Sequence, residues 1–117
     1  MEQIIFNLDE IVKIEKITDD AIYFSNKGKL MHSYTQDCCE YNYADFESLN
    51  DTTIFDEYFD KLVFEVIEGI GFRLNGYLVN CYSIQNGYYS SWVDISYKEK
   101  DCEHYIFGLS AQKDEED

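Results

Sequence analysis

A chain of 117 residues has room for one domain of ordinary size. Its 45% hydrophobic and 17% aromatic content excludes a disordered segment. Its formal charge of −15, from 24 Asp or Glu against 9 Lys or Arg, opposes approach to nucleic acid or an anionic membrane and favours basic partners. No stretch approaches the roughly 20 apolar residues that cross a bilayer as a helix.

The 11 Tyr and 8 Phe, together with Val and Ile, suit a pleated surface. The expected fold class is α+β, predominantly antiparallel β: a meander of about six to eight strands with one short helix. One acidic β-rich domain is expected over residues 1–110, followed by an acidic C-terminal tail over 111–117.

In chain order, Ile11, Ile14 and Ile17 among Lys13, Glu15 and Lys16 fit an irregular strand or a short helix, and the β-rich sequence that follows favours the strand. Asp19-Asp20 marks a turn, Ala21 to Ser25 a strand, and Asn26-Lys27-Gly28-Lys29 a hairpin loop with glycine available for positive φ. Leu30 to Thr35 is the partner strand. Asp45 to Leu49 is expected as the short helical turn, with carboxylates suited to the positive end of a helix dipole.

Lys61 to Glu68 alternates, with Leu62, Phe64 and Val66 on one face and Val63, Glu65 and Ile67 on the other. Gly69, Gly71 and Asn75-Gly76 punctuate the chain before a strand over Tyr77 to Ile84. Asn86-Gly87 predicts a tight turn, with Tyr88 to Tyr97 as the antiparallel partner. Asp101 to Glu103 leads into a last strand, His104 to Leu109.

The N-terminal Met1-Glu2-Gln3-Ile4-Ile5-Phe6 has neither the basic region nor the apolar stretch of a signal peptide, which predicts a cytoplasmic location. Cys38, Cys39, Cys81 and Cys102 are then expected as thiols.

Gln36-Asp37-Cys38-Cys39-Glu40 follows a hairpin, and Asn86-Gly87-Tyr88-Tyr89-Ser90 precedes Val93-Asp94-Ile95. This pairing of motifs resembles a family of small uncharacterised phage and bacterial proteins, over roughly Ile11 to Ile95. Where that family often has a histidine, three residues before the motif's Asp, this chain has Tyr34. The resemblance implies a β-rich fold and a phage-associated setting in a bacterial host cell, and no particular chemistry.

The residues give little support to catalysis. Adjacent Cys38 and Cys39 on a strand would point to opposite faces and poorly share a metal ion, whereas zinc ligands are usually separated. Only His32 and His104 could act as imidazole bases, and Asp37 and Glu40 beside the thiols disfavour a thiolate. Gly69-Ile70-Gly71 lacks the remainder of a phosphate-binding loop. Neither catalysis nor a cofactor is expected.

Charge distribution carries more. From Leu30 to Asp60 there is no Lys or Arg, while Asp37, Glu40, Asp45, Glu47, Asp51, Asp56, Glu57 and Asp60 supply eight carboxylates. Tyr41, Tyr43, Phe46, Phe55, Tyr58 and Phe59 are interleaved with them. Carboxylates accept bidentate arginine bonds and aromatic faces receive cations, so these acids, with Tyr41 and Tyr43, are the candidate partner-binding residues.

The expected function is that of an anti-defence inhibitor, of anti-CRISPR type, which occupies the nucleic-acid groove of a basic host protein by acidic mimicry. The alternatives are a small-molecule binder for a nucleotide signal, or a metal-binding accessory domain.

Overall fold

The computed structural model of the chain describes residues 2–33, 40–85 and 92–113. These form eleven strands in two sheets that enclose one hydrophobic core. One sheet joins β1 (Glu2–Val12), β6 (Phe59–Ile67), β7 (Gly71–Leu74) and β8 (Tyr77–Gln85), with β5 (Glu40–Ala44) and β11 (Gln112–Lys113) also pairing with β8. The other runs in the order β10 (Cys102–Ser110), β9 (Trp92–Glu99), β4 (Lys29–Ser33), β3 (Ala21–Phe24), β2 (Ile14–Ile17). Every pairing is antiparallel except β11 with β8.

Alternation in sequence sets the inward faces. In β6, Leu62 and Phe64 are fully buried and Val66 nearly so, while Val63, Glu65 and Ile67 are half-exposed. In β9, Val93, Ile95 and Tyr97 turn inward. Phe64 and Phe72 from one sheet meet Phe107 from the other, with ring centroids 5.2 Å apart in both cases. Each such side chain contributes about 1.5–3 kcal/mol by leaving water, so the sheet interior is the main stabilising element.

The chain changes sheets at short corners. β1 keeps register with β6 from Glu2 opposite Val66 to Asn7 opposite Lys61, and resumes at Val12 opposite Phe59. Residues 8–11 thus face Asp60 alone, a bulge that bends the strand toward the corner. At that corner Lys13 is the single residue before β2. Its N–H donates to Ser25 Oγ at 3.0 Å, and its carbonyl accepts from Ser25 N–H at 2.8 Å.

Several expectations are corrected. The short helix is a pair of 3₁₀ turns, Phe46–Asp51 and Thr53–Asp56, and no α-helix occurs among the described residues. Phe46 and Leu49 are the buried residues of the first turn, and their i, i+3 spacing matches three residues per turn. Strands number eleven among the described residues because the first segment and the C-terminus each supply two, and because Glu40–Ala44 and Gly71–Leu74 are also strands. β9 is not the hairpin partner of β8: it lies in the other sheet, between β4 and β10. Asn86-Gly87 lies outside the described residues.

Gln112 and Lys113, expected in the tail, pair with Tyr82 and Ser83 of β8, and Ala111 is buried. In the β3–β4 loop the positive φ falls on Lys27, at 71°, and not on Gly28. Gly28 is needed for a different reason: a Cβ there would stand 2.0 Å from the Tyr97 hydroxyl.

Candidate interaction surface

The two 3₁₀ turns cover one end of the core and are pinned to it by Phe46, Leu49 and Ile54, each at most 1% exposed. Between the turns, Thr52 Oγ1 donates to the Leu49 carbonyl at 2.6 Å and accepts from Ile54 N–H at 3.3 Å. Tyr77 ties the second turn to β8 through Thr53, hydroxyl to hydroxyl at 2.9 Å. With the apolar side chains committed inward, Glu47, Asp51, Asp56 and Glu57 are left exposed, and Asp60 joins them at the start of β6. Asp45 is half-buried, and its N–H donates to the Asn80 carbonyl at 2.8 Å.

The interleaved aromatics divide. Phe46 and Phe59 are in the core, Phe55 packs against it, and Tyr58 is 71% exposed with Lys13 Nζ 4.9 Å from its ring centre. Phe46 therefore pins the first turn and Phe59 the start of β6, and neither ring is open to a partner.

The remaining candidates lie elsewhere. Tyr43, half-buried in β5, sits against Tyr82 with ring centres 5.6 Å apart. Glu40 and Tyr41 stand at the start of the same strand, where their backbones pair with Gln85 and Ile84. Asp37, Cys38 and Cys39 lie outside the described residues. The nine candidates among the described residues thus fall at two places, the start of β5 and the segment from Asp45 to Asp60, where Glu47, Asp51, Asp56, Glu57 and Asp60 are exposed.

Two carboxylates were missed. Asp9 and Glu10 are exposed in the β1 bulge opposite Asp60. They belong to the same charged environment as Tyr97, whose phenol is pushed up by burial first, is partly offset by its bond to Asn26, and is pushed further by Glu99, Glu10 and Asp9. The break in alternation at Leu8-Asp9-Glu10-Ile11 was the available signal.

Register also brings together strands that lead to the two sequence motifs. Glu40 pairs with Gln85 in one sheet and Ser33 with Asp94 in the other. Asn42, 1% exposed, donates to the Trp92 carbonyl at 3.2 Å and accepts a short bond from Ser83 Oγ. Asp94 accepts from Trp92 Nε1 at 2.9 Å, and the Tyr105 phenol, though largely exposed, is pushed up by partial desolvation and by the Asp94 carboxylate. His32 is buried against Phe46 and its Nε2–H donates to the Asp19 carbonyl at 3.0 Å, which gives this imidazole a structural task. His104 faces Glu99 at 3.6 Å.

Cys81 is fully buried and its thiol is pushed up to about 12 by burial, which makes it inert at neutral pH; Cys102 is exposed. Among the described residues, no group of three or more His, Cys, Asp or Glu could hold a metal ion. Nor, among them, is any helix long and apolar enough to cross a membrane. No family model, curated protein or solved structure matches the chain.

Proposed function

We propose that the chain is a binding protein whose acidic surface occupies the nucleic-acid groove of a basic host protein, as a phage or prophage inhibitor of a CRISPR effector or similar defence protein would in the bacterial cytoplasm. The observation that carries this reading is the rigid mounting of Glu47, Asp51, Asp56, Glu57 and Asp60, all exposed, on turns anchored by fully buried Phe46, Leu49 and Ile54. Preorganised carboxylates lose little freedom on binding, which gives them an advantage over a flexible acidic tail. Asp9 and Glu10, exposed in the bulge opposite Asp60, add two further carboxylates to the chain's exposed acids. The two motifs that resemble phage and bacterial proteins support the setting.

The test is affinity capture from a bacterial host lysate at low salt, followed by titration with salt and with competing duplex DNA. A nucleic-acid-binding protein that is released steeply as salt rises and is displaced by DNA supports the proposal. Reversal of Glu47, Asp51, Asp56 and Glu57 to lysine should weaken that binding by about tenfold or more. Unaltered binding in this variant, or no salt dependence, would sink it.

A further inference from the structure

The scarce cations of this chain are not scattered among its carboxylates. Register places Lys16 of β2 opposite Tyr23 of β3, Tyr23 opposite Lys29 of β4, and Lys29 opposite Lys98 of β9. The neighbouring row, Ile17, Ile22, Leu30 and Tyr97, is buried, so the Lys-Tyr-Lys-Lys row lies on the outward face of the five-stranded sheet. Lys16 Nζ and Lys29 Nζ stand 4.9 and 5.8 Å from the centre of the Tyr23 ring, which holds both ammonium groups beside it. Lys27 and Lys100 occupy the β3–β4 and β9–β10 turns at the same end of the sheet, both with positive φ and both exposed. Five of the nine basic residues thus gather at one place.

Like charges directly opposite each other on neighbouring strands destabilise a sheet. With 24 carboxylates in the chain, an acidic neighbour for Lys29 would be the cheaper arrangement. The carboxylates near the row are Glu103 opposite Lys98, Glu99 and Asp101 at the β9–β10 turn, Glu15 in the β2 irregularity, and Asp9 and Glu10 in the surroundings of Tyr97, yet none of them stands opposite Lys29, whose cross-strand partners are Tyr23 and Lys98. Neighbouring strands lie about 4.8 Å apart, so the Cα atoms from Lys16 to Lys98 span about 14 Å. That is suited to a ligand with several linked negative groups and larger than one small anion requires. Lysine binds phosphate as a strong point charge.

We infer that the outward face of this sheet, at Lys16, Tyr23, Lys29 and Lys98, is a binding site for a polyphosphate chain, inorganic or carried by a nucleoside. The ligand replaces Lys29–Lys98 repulsion with attraction to both, and the Tyr23 ring keeps two ammonium groups in position. The site is independent of the acidic surface and uses none of its residues.

The experiment titrates the full chain with inorganic tripolyphosphate and, separately, with ATP, by calorimetry and by amide chemical shifts. Binding that perturbs β2, β3, β4 and β9 and weakens at least tenfold in Lys29→Gln/Lys98→Gln supports the site; tighter ATP than tripolyphosphate binding assigns the nucleoside form. Lys29→Glu, which sets a carboxylate opposite Lys98, should leave the free protein folded with an unfolding temperature close to that of the parent while abolishing binding, which separates a lost site from a lost fold. The inference is overturned by no binding at millimolar ligand, by equal loss in the control Lys61→Gln, or by unchanged affinity in the double variant. Binding of a single-stranded oligonucleotide without tripolyphosphate binding would also overturn it, in favour of a nucleic-acid strand.

Discussion

The Tyr97 hydroxyl oxygen lies 3.0 Å from Asn26 Nδ2, a bond between residues 71 positions apart that fastens the β3–β4 loop to β9. Asn26 Oδ1 in turn accepts from Gly28 N–H at 2.9 Å, so one side chain holds both the loop backbone and the buried tyrosine. The same closeness explains the glycine, because the Tyr97 ring and hydroxyl fill the space that any side chain at position 28 would need.

Gly28→Ala is therefore expected to destabilise by about 1–3 kcal/mol through overpacking, lowering the unfolding temperature by about 4 °C or more. Tyr97→Phe keeps the ring and loses the bond to Asn26, at about 1 kcal/mol. Thermal unfolding of both variants checks this. An alanine at position 28 as stable as glycine would show that Tyr97 moves aside without cost.

How far the sequence revealed this fold depended on whether the deciding contact was local. Lys61 to Glu68 was legible because Leu62, Phe64 and Val66 alternate and the strand buries one face. The β3–β4 hairpin was legible from its loop. The β8–β9 hairpin was misread because Asn86-Gly87 is a local turn signal, whereas β9 is placed by the distant fit of Ile95 and Tyr97 against His32 and Leu30. Sequence also could not separate Phe46 and Phe59, which anchor the acidic turns from inside, from exposed Tyr58. The lysine row was invisible for the same reason: Lys29 and Lys98 become neighbours only through strand register.

Alkaline stability should report on two buried acids. The Cys81 thiol ionises near 9.0 in the unfolded chain and at about 12 in the fold, and Tyr97 is raised above 10.0, in both cases chiefly through burial. Within those windows the unfolded chain has released a proton that the folded chain still holds. Stability is then fully present below the unfolded value and falls as pH rises, by up to about 1.4 kcal/mol per pH unit per group. Guanidinium unfolding at about pH 8, 9 and 10 should show a falling midpoint, and Cys81→Ala should flatten the decline. Identical pH slopes for the two proteins would exclude Cys81 as a source.

The buried bond between Ser83 and Asn42 offers the sharpest test of how the motif-bearing end is held. Both side chains are at most 1% exposed, they come from paired strands, and Asn42 also reaches the Trp92 carbonyl in the opposite sheet. A polar group buried without its partner costs about 1–3 kcal/mol, whereas removing both partners leaves nothing unsatisfied between them. Ser83→Ala and Asn42→Ala should each destabilise by that order, and the double variant by less than their sum. Because Asn42 also joins the sheets, its substitution should cost more than that of Ser83. Chemical denaturation of the four proteins measures the coupling. Simple additivity would mean that Asn42 acts through contacts other than Ser83, and that the Ser83 contact is incidental to holding β5 and β9 together.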